Sequence, residues 1–236
     1  MDILYLLKES NVNEELVYSL RSLVNLSHEQ IFFAGGCPKG IKNIIHIPVK
    51  QNKDKHQNST NNLIAACKDE RLSNNFILMN DDFFILSPIK NPAEELNLNR
   101  GEIQAVYQDY ASRYLNETTY MIGMRHTMLL LQNLGIKNPL SFELHIPMIL
   151  NKDKVLEMFN IKGLGSIPVL HKRSLYGNLY IKDSNYTEDV KILSKSDFSP
   201  QKMKDKNFLS CSDKGWGRIK EYISDKFSIS SIYENP

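Results

Sequence analysis

The stretch that most restricts this chain is Phe76 to Leu86, "FILMNDDFFIL", an apolar run broken only by Asn80, Asp81 and Asp82. A short, uniformly apolar segment of this kind suits a strand covered on both faces of a sheet. Carboxylates cannot stay ionised inside such a layer without donors, solvent or a cation. The two acids therefore mark a place where a buried strand stops and reaches a polar site. Three further segments have the same character: "DILYLL" from Asp2, "QIFFAGG" from Gln30 and "NIIHIPV" from Asn43. Between them lie helical patterns. Leu16, Leu20, Leu23 and Leu26 recur at helical spacing behind Asn13, Glu14 and Glu15, which suit a helix start. "STNNLIAACKDERL" forms a second helix, with Ser59 or Thr60 as its cap.

Strands alternating with helices predict an α/β fold with a mostly parallel central sheet flanked by helices. In such sheets ligands collect beyond the carboxyl ends of the strands, and Asp81 and Asp82 stand at one such end. After Pro88 the texture changes. "NPAEELNLNRGE" reads as a surface connection, and "VYQDYASRYLN" and "TYMIGMRHTMLLLQNLG" as an inserted pair of helices. "NKDKVLEMFN" is a helix capped by Asn151, and "VKIL" and "FLSCS" are strands. "GRIKEYISDKF" is a closing helix, and Gly177 and Asn178 form a turn after "HKRSLY". The reading is one domain over 1–236, falling into halves at 1–90 and 91–236.

Composition narrows the class. With 42% apolar and 24% charged residues and a net charge of +2, the chain can bury a real core and has no polyelectrolyte character. The three cysteines, Cys37, Cys67 and Cys211, have no zinc spacing and suit free thiols in a reducing cytoplasm. No stretch reaches the ~18 apolar residues of a membrane helix.

Taken together, "DILYLL", "EELVYSLRSL", "LSNNFILMNDDFFIL" and "HIP" resemble, in order and spacing, blocks of the Stealth family, sugar-phosphate transferases of bacterial capsule synthesis. The chain is also similar to short, single-domain glycosyltransferase-like proteins of phage and bacterial genomes, whose later blocks resemble "RSLYGNLY" and "FLSCSD". It departs from the Stealth pattern after the first strand: "YLLKES" lacks the second acid carried there and keeps only Asp2 and Tyr5.

The resemblance implies a GT-A-like fold that binds a nucleotide-sugar donor together with Mg²⁺ or Mn²⁺, with 1–90 as its nucleotide-binding half and 91–236 as its acceptor-side half. It implies that Asp81 and Asp82 are catalytic, with Asp82 as a metal ligand. Successive extended residues point opposite ways, so one acid meets the metal and the other orients water or sugar. A strand-end turn is the plainer account of both.

The resemblance also places His145, in "ELHIP", at the site as a second metal ligand or phosphate donor; a satisfied core histidine is the alternative. Glu143 is read as a base or sugar partner, against a surface acid. Arg173 offers a planar fork to a diphosphate, against a surface arginine. Asn61 and Asn62 match a block preceding the acids, and helix capping also explains them. Asp2, Tyr5 and Lys8 border the first strand, whose end in GT-A-like folds receives the base and ribose; Asp2 begins that strand rather than ending it, which gives it a structural role unless the site curls back. The acceptor is left open among a glycan, a protein and a modified nucleic-acid base. Sugar-1-phosphate transfer and non-catalytic binding of a nucleotide sugar or glycan are the competing functions.

Overall fold

The computed structural model of the chain describes residues 1–236 except Lys53, Ser196, Asp197 and Pro236. In chain order its elements are β1 (Asp2–Leu7), α1 (Glu14–Ser22), β2 (Ile31–Gly35), β3 (Ile45–Pro48), α2 (Lys55–Lys68), β4 (Asn75–Met79), β5 (Phe83–Ile85), α3 (Pro92–Glu95) and β6 (Leu98–Asn99). Then follow α4 (Ile103–Arg113), α5 (Thr119–Asn133), β7 (Met148–Asn151), α6 (Lys152–Phe159), α7 (Lys172–Tyr180), β8 (Asn185–Tyr186), β9 (Lys191–Ile192), β10 (Phe208–Cys211) and α8 (Trp216–Lys226).

The chain divides into two compact units. The first comprises Met1–Leu96, His145–Leu150 and Val190–Pro236, and the second Asn97–Leu144 and Asn151–Asp189. The first unit is built on a five-stranded sheet of order β3-β2-β1-β4-β7. Its pairs β3–β2, β2–β1 and β1–β4 are parallel. The α/β class read from the sequence is the one adopted. Ile3, Leu4, Phe32, Phe33, Phe76 and Ile77 are all at most 1% exposed, which explains why these strands lack an apolar/polar alternation. Each such side chain contributes about 1.5–3 kcal/mol on burial.

α1 starts where expected. The Asn13 side chain accepts from the Leu16 amide at 3.0 Å, and Glu14 and Glu15 occupy the first turn, where the helix dipole favours acids. Two buried serines on α1 fasten it to β5. Ser19 Oγ donates to the Phe83 carbonyl at 2.7 Å, and Ser22 Oγ accepts from the Ile85 amide at 3.1 Å. α2 starts earlier than expected, its cap Asp54 lying five residues before Ser59 and six before Thr60. Asp54 accepts from the amides of His56 and Gln57, and Thr60 lies inside the helix, its hydroxyl donating to the His56 carbonyl at 3.1 Å. A smaller sheet of order β5-β10-β9 completes the first unit. β10 runs antiparallel to β5 and parallel to β9.

The second unit holds α4 to α7 and the two-stranded β6–β8 sheet. Asn151 caps α6 as expected, accepting from the Lys154 amide at 3.2 Å. The expected turn at Gly177 and Asn178 is absent, because both residues lie within α7. A Cβ at Gly177 would strike the Phe142 ring, so glycine serves close packing there. Asn178 exchanges two hydrogen bonds with the Leu140 backbone. The polar connection after Pro88 contains the short α3 and β6.

Candidate active site

The chain builds β1, β2 and β3 to one side and then crosses over to lay β4 on the other side of β1. β1 and β4 are parallel, so their carboxyl ends open together at a point where strand order reverses. Open α/β sheets bind ligands at such a crevice. A cleft of about 220 Å³ lies there, lined by Leu7 and Lys8 from the end of β1, Glu15 from α1, and Gln51, Asn58, Ser59 and Asn62 from α2 and the segment before it. Asp81, Asp82 and Asp213 complete its polar wall. A second cavity, about 240 Å³, shares Lys8, Glu15, Asp81 and Asp213 with it and continues to Asn13, Glu14 and Trp216. Each is smaller than the ~300–1,000 Å³ of a ligand pocket, and the two adjoin through the residues they share.

Asp81 and Asp82 sit in the turn that joins β4 to β5, closed by the Phe83 amide donating to the Asn80 carbonyl at 3.2 Å. Because this is a turn and not extended chain, both acids line the same cleft, which corrects the expectation that they face opposite ways. Asp81 Oδ2 accepts from Asn13 Nδ2 at 2.6 Å. Burial, and next the charge of Asp82, raise the Asp81 carboxyl above its ordinary range, with the Asn13 bond working against them. Asp82 Oδ2 lies 3.5 Å from Lys191 Nζ, and Asp82 Oδ1 is buried without a hydrogen-bond partner among the described residues.

Glu15, read in the sequence only as part of a helix start, and Asp213, not singled out there, make this an acidic site. Burial, then Asp81 and Asp82, push the Glu15 carboxyl up to about 7, while a 3.6 Å bond from the Cys211 thiol opposes them. Burial and the neighbouring Glu15 push that thiol up in turn. Asp213 follows β10 as Asp81 follows β4, an acid just after a short apolar strand, and that signal could have identified it. Trp216 borders the second cavity, its ring stacked on Phe84 at 5.9 Å and its Nε1 donating to Glu14.

Of the residues expected at the site, Asp81, Asp82 and Asn62 line the cleft. Asn62 is buried. Its Nδ2 donates to the Leu7 carbonyl at 3.2 Å, and its Oδ1 accepts from Gln51 at 3.0 Å. Asn61, one position on, accepts from Gln57 on the outer side of α2 and does not line the cleft.

Asp2 and Tyr5 also stay out of it. Asp2 begins β1, at the far end of the strand, where its two oxygens accept from the Gln30 and Ser73 amides. Tyr5 is wholly buried with its hydroxyl 3.0 Å from Ser19 Oγ. The serine proton goes to the Phe83 carbonyl, so Tyr5 donates. His145 belongs to the first unit and meets the Phe83 ring edge-on at 6.2 Å; it is not among the cleft-lining residues.

Glu143 and Arg173 belong to the second unit. Glu143 accepts from the Ser174 amide at 3.0 Å at the start of α7. Arg173 is only 9% exposed and donates to the Leu144 carbonyl, so it is not the surface arginine of the alternative reading.

The donor set of the cleft is hard oxygen throughout, the chemistry that Mg²⁺ and Mn²⁺ prefer. Among the described residues no three His, Cys, Asp or Glu side chains are grouped to hold an ion alone. A cation of the Mg²⁺ kind takes one or two carboxylates and completes its shell with substrate phosphate and water. Asp82 Oδ1, which has no hydrogen-bond partner among the described residues, fits such a cation.

A mostly parallel sheet with acids beyond its switch point defines the class: the fold is that of the GT-A glycosyltransferases. In particular, the chain is similar to the crystal structure of the galactosyltransferase LgtC bound to donor and acceptor sugar analogues, with a TM-score of 0.55 at 10% identity over 98% of this chain and 97% of that one. An active-site mutant of LgtC superposes with a TM-score of 0.54 at 9% identity, over 97% and 95% of the two chains. At these identities the likeness is one of fold. No family model and no curated protein matches the sequence, so neither supports the Stealth resemblance. Among the described residues no helix is long and apolar enough to cross a membrane.

Proposed function

We propose that this chain is a metal-dependent glycosyltransferase that moves a sugar from a nucleotide-sugar donor to an acceptor. The observation that carries the reading is the position of Asp81 and Asp82. Two carboxylates stand together beyond the carboxyl ends of β1 and β4, and one oxygen of Asp82 lacks any partner. Asp82, with Asp81 beside it, would hold Mg²⁺ or Mn²⁺. A divalent cation bound there would neutralise the charge that grows on the leaving diphosphate. Asn13 orients Asp81 through its 2.6 Å bond, and Lys8 adds a positive charge at the mouth of both cavities. Asn62 pins the end of β1 through the Leu7 carbonyl, which fixes the cleft wall against which a nucleotide would lie. A glycan, a protein and a modified nucleic-acid base are the acceptor classes under this reading.

The test is a screen of nucleotide sugars with Mn²⁺, Mg²⁺ or EDTA, in which the released nucleotide is resolved by chromatography. Metal-dependent release of a nucleoside diphosphate is the expected result. Release of a nucleoside monophosphate would make the chain a sugar-1-phosphate transferase. Metal-dependent binding with no turnover of any donor would make it a binding protein.

A further inference from the structure

Lys191 reaches the acid pair by strand register. It lies opposite Ser210 in the parallel β9–β10 pair, and Ser210 lies opposite Phe83 in the antiparallel β10–β5 pair. Phe83 directly follows Asp82. Ser210 is small and fully buried, so the long side chain of Lys191 can extend across β10 toward the turn that holds Asp82. Its Nζ stops 3.5 Å from Asp82 Oδ2, with the two side chains only 24% and 17% exposed. A pair so sheltered is screened less by salt than one on the surface.

The contact is one-sided. One carboxylate oxygen faces the ammonium, and the other is buried with nothing to bond. An ion pair that served structure alone would saturate both oxygens, since an unmet buried acceptor is costly. One oxygen of Asp82 is met by a cation, and among the described residues nothing meets the other.

We propose that Lys191 is an exchangeable counter-ion of the acid pair, holding Asp82 while no metal is present and competing with the divalent cation for it. This rests on the metal-dependent reading above. A cation arriving at Asp82 meets the ammonium at like-charge distance, so metal alone binds weakly. A donor diphosphate arriving with the metal gives the displaced ammonium a new anionic partner. Metal and donor then bind as a set.

Calorimetric titration of Mn²⁺ alone into the full chain tests this. Lys191→Met is expected to bind Mn²⁺ roughly five- to tenfold more tightly than wild type, the effect of removing one unit charge at this range. Lys191→Arg keeps the charge and stays close to wild type. In EDTA, Lys191→Met melts at a lower temperature than wild type, and the gap closes at saturating Mn²⁺. Lys191→Gln repeats the measurement with a second neutral side chain should methionine leave the chain unfolded. Equal or weaker Mn²⁺ binding by a cooperatively melting neutral variant, with wild type binding normally, overturns the role of Lys191 and leaves the metal reading standing. Absence of Mn²⁺ binding by wild type, even beside a nucleoside diphosphate, overturns both.

Discussion

Asp81 and Asp82 are neighbours held by different means: an amide donor from Asn13 for the first and an ammonium from Lys191 for the second. Their variants should differ accordingly. Asp82→Asn is expected to lower turnover by on the order of a hundredfold or more, because a hard ligand is lost where diphosphate charge must be met. The same change strands Lys191, so its melting temperature in EDTA should fall slightly. Asp81→Asn should instead melt higher in EDTA. Burial and the charge of Asp82 both penalise the Asp81 carboxylate, and an amide can still accept from Asn13. About 1 kcal/mol of relief corresponds to roughly 2–4 °C in a chain of this size. Thermal melts and a turnover assay on the two variants check both directions; identical behaviour would mean the acids share one structural role. The acid pair was legible in the sequence because a charge inside an apolar run violates burial. Glu15 and Lys191 break no local rule. They become part of the site only through helix packing and strand register, which one sequence does not display, whereas Asp213 carries the same strand-end signal as the acid pair.

At the scale of elements, two glycines with the same backbone habit separate strain from collision. Gly35 closes β2 with φ +100°, and a Cβ on it would strike the Leu7 carbonyl and Asn62 Nδ2. Gly40 has φ +83° and nothing within 4 Å of a Cβ. Gly40→Ala should cost about 1–2 kcal/mol, the penalty of a left-handed non-glycine residue. Gly35→Ala should cost that plus another ~1–3 kcal/mol of overpacking, and it should disturb the Asn62–Leu7 bond at the cleft wall. Denaturant unfolding of the two variants measures the difference, and equal losses would show that the end of β2 can shift without harm. The apolar strands were readable because burial on both faces erases alternation. Helix ends were less so. Asn52, Asp54, Asn58, Ser59 and Thr60 are all capping residues within one short stretch, and propensity alone does not rank them. In α7 the pair Gly177–Asn178 reads as a turn until the Phe142 ring and the Leu140 backbone supply contacts that favour helix.

At the scale of the whole molecule, the first unit is closed by residues that return to it late. Arg21 on α1 makes two bonds to Glu234, at 2.9 and 2.6 Å, and Tyr233 bonds His28. Burial alone would raise the Glu234 carboxyl, but Arg21 and the Ser231 amide and hydroxyl hold it below its ordinary value. The folded state therefore binds this proton less readily than the unfolded one. The pair contributes fully above pH 4.5, the ordinary glutamate value, and is lost as pH falls through the lowered one. Glu234→Gln should thus melt a few degrees below wild type at pH 7, for a bond worth about 1 kcal/mol, and the gap should close under acid conditions. A gap that persists at low pH would assign the effect to packing. The same late return sets a timetable for synthesis. β5 gains its partner β10 only after about 120 further residues have been added, a wait of roughly 6–25 s at the pace of a ribosome. During that interval the edge at Phe83–Ile85 stands open on the nascent chain, and Lys191 and Asp213 have not yet reached the acids. A ribosome-stalled chain ending before β9 should therefore be cut by protease at this edge, so that synthesis exposes the acid pair well before it delivers the ammonium that shelters beside it.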